Sequence, residues 1–192
     1  MNDLIKELRE ITGSGILEVK NALSEAEGDK EKALEILRKK GATKFGKKAD
    51  RVTKEGIVTS YIHPGGRIGV LIELNCETDF VARTEDFKNL ANDLALHIAA
   101  SSPLYVSQTD VSAEIIEKEK EFFKETLKNK PAEMVEKIVE GKLEKYYEEI
   151  CLLNQPFVKN PDIKIKDFLG QAVGKLGENI SVKRFSRFVL GN

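Results

Sequence analysis

Residues 56–74 read GIVTSYIHPGGRIGVLIEL, two runs rich in β-branched side chains that flank an HPGG turn at 63–66. Short β-branched runs on either side of a turn that contains proline and glycine predict a β-hairpin. In the second run the apolar residues alternate onto one face, as in a strand with one buried side: Ile68, Val70, Ile72 and Leu74. Because a hairpin cannot cover a core by itself, we expect at least one further strand.

Apolar periodicity further along the chain predicts helices and that further strand. Thr84 is predicted to cap a helix with an amphipathic stripe, and another helix runs from about Lys164 to Leu176 and stops at Gly177. Residues 181–189 read SVKRFSRFV, which predicts the last strand of the sheet. The resulting body is α+β, a small antiparallel sheet with helices on one side.

Two long, charged helical patterns lie between these elements, at residues 112–129 and 131–150. The sequence KNKP at 128–131 separates them, and Pro131 suits the first turn of a helix. Their apolar seams are narrow, which is typical of an antiparallel helical hairpin with coiled-coil character. Such a hairpin, at about 112–150, can pack on itself or on another subunit.

Residues 1–40 carry three short helical patterns that are separated by turns. Their few apolar positions give a marginal core, which suggests a recognition module tethered to a larger body. The arrangement resembles a ubiquitin-associated-like three-helix bundle. We therefore divide the chain into a helical module at 1–40, a basic linker at 41–55 and an α+β core domain at 56–192.

Composition limits the classes of function. The chain of 192 residues has a formal net charge of -1, so no long-range field draws it to nucleic acid or to an anionic membrane. No window approaches the roughly 18 apolar residues of a membrane span, and the N-terminus lacks a signal-peptide pattern, so we expect a cytoplasmic protein. Cys76 and Cys151 have no paired-thiol or zinc spacing, which favours two reduced thiols.

Motifs for catalysis and for nucleotide binding are missing from the sequence. The nearest approach to a phosphate-binding loop, GQAVGKL at 170–176, has the wrong spacing and lacks the hydroxyl that binds magnesium. A thiol enzyme would have to bring His63 or His97 to Cys76. The acids of residues 112–150 suit solvated helix faces better than paired catalytic carboxylates. We therefore expect a protein that is not an enzyme and that has no cofactor or metal of its own.

Residues 38–54 form a strongly basic, glycine-punctuated run with Asp50 as the single acid. Phe45 is its single aromatic residue, so the run offers no series of stacking platforms for RNA bases. We favour a solvated linker. RNA contact is the alternative, and it predicts RNA binding that weakens steeply with added salt.

The functional signal lies where the second strand of the hairpin ends. Residues 73–83 read ELNCETDFVAR, so the strand leads Asp79 and Phe80 into a loop, where the ring either starts the next layer of core or contacts a partner. Residues 8–17 read LREITGSGIL. These segments, with QPFV at 155–158 and RFSRFVLG at 184–191, closely resemble the elongation factor Ts family, the guanine-nucleotide exchange factors of elongation factor Tu.

The resemblance spans essentially the whole chain and implies a partner-binding loop made of Thr78, Asp79, Phe80 and Val81. In this family the loop enters the nucleotide domain of elongation factor Tu. The resemblance implies that Phe80 wedges between two helices there and that Asp79 lies near the magnesium region. GDP would then leave without covalent chemistry.

The resemblance also implies a second contact, in which the N-terminal module docks on another helix of the same domain. The matching positions here are Lys6, Arg9, Ile16 and Leu17. Adjacent residues of a helix point about 100° apart, so we expect at least one of Ile16 and Leu17 on the surface. Burial of both inside the bundle is the alternative.

Long members of the family carry two related core subdomains and a C-terminal extension, whereas this sequence predicts one sheet-and-helix unit. A homodimer, as in similar short members, would restore the second subdomain through the helical hairpin or the sheet. The alternative function is a ubiquitin-associated-like adaptor for protein interaction without exchange activity. That reading leaves residues 75–83 unexplained.

Overall fold

The computed structural model describes residues 2–12, 14–48, 51–127 and 131–191. The chain divides into two compact units, one made of Met1–Ala99 with Lys166–Asn192 and the other of Ala100–Ile165. In chain order the elements are α1 (Asn2–Thr12), α2 (Ile16–Glu25), α3 (Lys30–Lys48), β1 (Glu55–Ile62), β2 (Ile68–Cys76), α4 (Asp79–Ala82), α5 (Glu85–Ser101), α6 (Ala113–Glu125), α7 (Ala132–Ile150), β3 (Pro156–Phe157), β4 (Asn160–Lys164), α8 (Ile165–Leu176) and β5 (Ile180–Val189). The predicted α+β class is confirmed.

The first three helices form a bundle within the first unit. Their buried apolar side chains make one cluster: Ile5, Leu8, Val19, Ala22, Leu23, Ala26, Ala33 and Leu37. The residues follow the helical spacing of the sequence, so burial of one stripe per helix holds the bundle together. The predicted ubiquitin-associated-like module is confirmed as a fold.

The turn from α2 to α3 is set by Gly28 and Asp29. Gly28 adopts a φ of +84°, which favours glycine, and its N–H donates to the Leu23 carbonyl at 2.8 Å. Asp29 Oδ1 accepts the backbone N–H groups of Glu31 and Lys32 at 2.9 and 3.0 Å and so caps α3.

Helix α3 is longer than the sequence pattern indicated. We expected the third helical segment to end near residue 40, but the backbone is helical as far as Lys48. Lysine, arginine and alanine favour helices, and no proline interrupts this run. The first part of the predicted linker is therefore helical, while the division of the chain into domains remains a prediction.

The centre of the first unit is a three-stranded antiparallel sheet in the order β1-β2-β5. It contains the predicted hairpin and the predicted last strand. In the middle strand, Val70 pairs with Tyr61 of β1 and with Arg187 of β5. Gly56 lets β1 approach β2 closely, because a Cβ added there would lie 2.2 Å from the Leu74 carbonyl oxygen.

Helix α5 covers one face of this sheet. Thr59 Oγ1 of β1 donates to Asn92 Oδ1 at 3.4 Å, and Arg187 of β5 donates from Nε and Nη2 to the Ala99 carbonyl at 3.2 and 3.1 Å. An ion pair of 2.7 Å between Lys175 and Asp86 joins α8 to α5. The covered side chains include Ile72, Leu74, Phe87, Leu94, Ile98, Leu169 and Val173.

The opposite face of the sheet carries exposed apolar side chains. We call this patch the open sheet face; it consists of Val58, Ile62, Leu71 and Phe188. The pairing of Ile62 with Gly69 and of Gly69 with Phe188 places it across all three strands. Phe188 is 71% exposed. A contiguous apolar patch of this kind on a folded unit usually marks an interaction surface.

The second unit contains the helical hairpin. Helices α6 and α7 pack together, and Lys142 Nζ of α7 lies 5.1 Å from the centre of the Phe123 ring of α6. Residues 128–130 of the predicted break lie outside the described residues, and Pro131 directly precedes α7. The short β3–β4 pair was not predicted, because the two residues of β3 are too few to give a period.

Candidate partner-binding site

The segment that follows β2 is one turn of helix. We predicted a loop here, and that prediction was wrong for residues 79–82, which form α4. Thr78 is the N-cap, since its Oγ1 accepts the N–H of Val81 at 3.5 Å, and Asp79 places negative charge in the first turn. Four residues are too short for helical periodicity to be visible in the sequence.

Helix α4 presents its aromatic residue to solvent. The Phe80 side chain is 79% exposed, whereas Ala82 is buried and Thr78, Asp79 and Val81 are half-buried. α4 packs against β1 and β2, so its inner side is anchored to the sheet. Phe80 therefore does not start a new layer of core.

The N-terminal end of α4 is held by Glu178, which lies between α8 and β5. Its Oε2 accepts the backbone N–H groups of Glu77 and Thr78 at 3.1 and 3.0 Å, and its Oε1 accepts the Thr78 hydroxyl at 2.6 Å. Hydrogen bonds to a charged carboxylate are about twice as strong as neutral ones. One side chain thus fixes two consecutive residues that precede the helix.

A second hydrogen bond runs in the opposite direction across the same junction. Glu77 Oε1 accepts the backbone N–H of Asn179 at 2.6 Å, and Asn179 Nδ2 donates to the Arg51 carbonyl at 2.8 Å. The Arg51 guanidinium also lies 3.5 Å from Glu77 Oε1. The end of β2 and the start of β5 are therefore tied together by two acids: Glu178 accepts the backbone N–H groups of Glu77 and Thr78, and Glu77 accepts that of Asn179.

The C-terminal end of α4 is joined to α5 by Thr84. Its Oγ1 donates to the Val81 carbonyl at 2.8 Å and accepts the Phe87 N–H at 3.2 Å, so it closes one helix and caps the next. The predicted capping role of Thr84 is confirmed. Together with Glu178, it fixes α4 at both ends.

The thiol nearest to the site is Cys76. Among the described residues both cysteines are free and buried, and Cys76 Sγ donates to the Thr78 carbonyl at 3.1 Å. Burial, together with the nearby Glu178 charge, raises the pKa of the Cys76 thiol to about 11. Burial also raises the pKa of Cys151 to about 11. Such thiols are poor nucleophiles at neutral pH, which speaks against thiol catalysis.

The candidate contact residues of the N-terminal bundle are all on its surface. Lys6 and Arg9 of α1 are exposed, and at the start of α2 Ile16 is 51% and Leu17 is 71% exposed. Both apolar residues are therefore outside the core, so the alternative of burial is excluded. No described hydrogen bond or ion pair joins any of these four side chains to α4.

The sequence did not reveal Glu77, Glu178 and Asn179 as part of this arrangement. The available signal was the antiparallel pairing of β2 with β5, which places Ile180 opposite Cys76 and so brings the flanking residues together. Within the described residues no group of three or more acids, histidines or cysteines is placed to hold a metal ion. None of the described helices is long and apolar enough to cross a membrane.

Comparisons with known proteins identify the family. The sequence model of the family "Elongation factor TS" matches residues 19–192. The elongation factor Ts of Fervidobacterium nodosum is 58% identical over 190 residues, which cover 98% of this chain and 96% of that protein. Those of Thermotoga petrophila (59% over 189 residues; 98% and 95% covered) and Carboxydothermus hydrogenoformans (57% over 192; 99% and 88%) are similar. This chain belongs to the elongation factor Ts family and is a translation elongation factor.

Proposed function

We propose that this chain is a guanine-nucleotide exchange factor that binds the GDP-bound form of elongation factor Tu and promotes release of GDP. Family membership supports the proposal, and one observation carries it: the Phe80 ring is 79% exposed on a helix that is fixed at both ends. A large apolar ring in water gains free energy when a partner buries it. The fixed backbone means that little ordering is needed at that moment.

In the proposed complex Phe80 enters between two helices of the nucleotide domain of elongation factor Tu. Burial of the ring supplies about 1.5–3 kcal/mol towards that insertion. Magnesium tolerates little deviation from octahedral geometry, so a small helix shift that moves its ligands weakens both magnesium and GDP. Asp79 follows Phe80 towards the magnesium region, where its negative charge opposes that of the phosphates.

The cycle closes through thermodynamic coupling. If the exchange factor lowers the affinity of elongation factor Tu for nucleotide tenfold, bound nucleotide lowers the affinity of elongation factor Tu for the exchange factor by the same ratio. Incoming GTP therefore expels the exchange factor from elongation factor Tu. No bond is made or broken, so the chain acts without a cofactor and is not an enzyme in the covalent sense.

The N-terminal bundle supplies the second contact of the proposal. Ile16 and Leu17 offer an apolar surface at the start of α2, and Lys6 and Arg9 place two cations on α1. A helix of the partner with an apolar stripe and acidic neighbours fits this surface. A second contact raises the affinity without requiring Phe80 to carry all of the binding free energy.

We also propose that the chain forms a homodimer through the open sheet face. The four residues of that face are apolar and exposed on the folded unit, and burial of such a patch against its own copy satisfies two-fold symmetry. The helical hairpin is the other candidate surface, with Phe122 and Met134 exposed. Since translation elongation takes place there, we place the protein in the cytoplasm.

The experiment is stopped-flow release of fluorescent GDP from elongation factor Tu at fixed magnesium concentration. Wild type is compared with Phe80→Ala and with the matched control Phe122→Ala, whose ring on α6 is also exposed, at 58%. We expect strong acceleration by wild type and by Phe122→Ala. We expect the Phe80→Ala variant to lose at least tenfold of that acceleration, as for a binding hot spot of more than about 1.4 kcal/mol.

Acceleration that survives in Phe80→Ala would keep the exchange function and move the wedge to other residues. No acceleration by wild type would refute the function. The adaptor alternative would then come first, since the bundle with exposed Ile16 and Leu17 accounts for protein binding without exchange.

A further inference from the structure

Phe80 has no packing of its own to fix its direction. Its side chain is exposed, so the direction of the ring depends on the orientation of the α4 backbone. Thr78 begins that turn of helix, and the hydroxyl of Thr78 has two roles. It accepts the Val81 N–H at 3.5 Å inside the turn and donates to Glu178 Oε1 at 2.6 Å outside it.

We propose that Glu178 is a positioning residue that holds the Phe80 helix in the orientation required for nucleotide exchange. The inference rests on the proposed function and adds to it a residue about a hundred positions further along the chain, between α8 and β5. Glu178 does not touch the partner in this proposal. It acts through Thr78.

The geometry explains why a carboxylate is needed at this position. Paired residues of β2 and β5 end at Cys76 and Ile180, so the N–H groups of Glu77 and Thr78 lie beyond the last pair of the sheet. Glu178 accepts both N–H groups and the Thr78 hydroxyl, three donors in all. A carboxylate has two oxygens and no hydrogen to offer, so it can accept all three donors.

An amide at the same position cannot do this. Glutamine keeps one oxygen, so it can accept the two backbone N–H groups, but its NH₂ group then faces the Thr78 hydroxyl and can only donate to it. Substitution of Glu178 by alanine leaves the three donors to water and frees the Thr78 hydroxyl to rotate. In either variant we expect α4 to stay helical, because Thr84 still holds its other end, while the direction of Phe80 becomes variable.

The first measurement is made on the protein alone. The sequence contains no tryptophan, so Phe80→Trp introduces a single tryptophan, whose fluorescence can be followed at the site. Time-resolved fluorescence anisotropy is compared for three proteins that all carry Phe80→Trp: one with no other change, one with Glu178→Ala and one with Glu148→Ala. Glu148 is the matched control, a partly buried glutamate that pairs with Lys164 at 2.8 Å in the other unit. We expect a larger nanosecond depolarisation for Glu178→Ala only.

The second measurement is a double-mutant cycle in the GDP-release assay. We expect Glu178→Ala to lower kcat/KM for exchange about tenfold when Phe80 is present, the loss typical of removing a hydrogen-bonded charge. In the Phe80→Ala background the same substitution should cost less than about twofold, because the residue through which it acts is already gone. Glu178→Gln should lie between wild type and Glu178→Ala.

Equal losses in both backgrounds, together with a lowered Tm, would assign Glu178 to general stability and overturn the proposal. Unchanged anisotropy and unchanged exchange would overturn it as well. If Glu178→Ala does not fold, Glu178→Gln carries both measurements. If wild type does not accelerate GDP release, the proposed function fails, but the anisotropy still decides whether Glu178 orients α4.

Discussion

The Asp79 carboxylate lies 2.7 Å from the guanidinium of Arg83, the residue that follows the last turn of α4. The Arg83 side chain is exposed and the Asp79 side chain is about half-buried, and a surface pair of this kind contributes only about 0–1 kcal/mol to stability. The pair therefore does little for folding. In the proposed mechanism it holds the Asp79 charge beside Phe80 until the complex forms.

The first prediction concerns Asp79→Ala. We expect its unfolding free energy to stay within about 1 kcal/mol of wild type, because the substitution removes a surface ion pair and one favourable charge in the first turn of a short helix. We expect GDP release to slow by a larger factor, since the charge that opposes the phosphates is gone. Thermal unfolding and stopped-flow release measure the two effects on the same samples.

The matched control for Asp79 is Glu85→Ala in the next helix. Glu85 pairs with Lys88 at 2.9 Å, and both side chains are exposed. The control removes an ion-paired acid close to α4 that is more exposed than Asp79, so it should leave both stability and exchange near wild type. If both variants slow exchange equally, the slower exchange is due to the loss of one negative charge in this region and not to the position of Asp79.

The second prediction concerns the surface of the N-terminal bundle. The double variant Ile16→Ala/Leu17→Ala should fold normally, because both side chains are half exposed or more. Its affinity for elongation factor Tu should fall at least tenfold if these residues bury against a helix of the partner. Calorimetric titration measures the affinity, and Leu104→Ala, exposed at 69% in the other unit, is the control.

Much of the fold follows from periodicity in the sequence. Local patterns of several residues set the β1–β2 hairpin, β5, the cap at Thr84 and the two long helices. The composition of residues 41–48 predicts a linker, because glycine and lysine are common in linkers, although the lysines and alanine of the same run also favour a helix. Local composition does not separate these two outcomes.

The sequence predicts only part of the candidate site. Phe80 stood out as an aromatic residue after a strand, but the sequence left open whether it was core or surface. Glu178 could not be found in this way, because its three donors lie a hundred residues away in the chain. Only the pairing of β2 with β5 brings them together, and register is a property of the tertiary fold.

The third prediction tests the open sheet face as the dimer surface. Phe188→Asp places a charge within the apolar patch, so we expect it to convert a dimer into a monomer. Because Phe188 is 71% exposed on the folded unit, the variant should otherwise fold like wild type. Light scattering at micromolar concentration gives the mass directly.

Phe122→Asp is the matched control for the dimer test, since it puts the same charge on the helical hairpin. A monomer for this control and a dimer for Phe188→Asp would move the interface to the hairpin. A monomeric mass for wild type would remove the homodimer from the proposal altogether.

The fourth prediction compares two glycines for their effect on stability. Gly56→Ala places a Cβ 2.2 Å from the Leu74 carbonyl oxygen, and its φ of +149° disfavours any side chain, so the strands must separate. We expect a loss of about 1–3 kcal/mol or more in the free energy of unfolding.

The Cβ that Gly141→Ala adds, inside α7, meets nothing within 4 Å. This substitution should stabilise the protein by about 0.5–1 kcal/mol, because alanine is the better helix former. Urea unfolding of both variants measures whether each substitution lowers or raises the free energy of unfolding. A neutral Gly56→Ala would mean that β1 and β2 can separate at that pair without loss, and the close approach would then not constrain the sheet that carries α4.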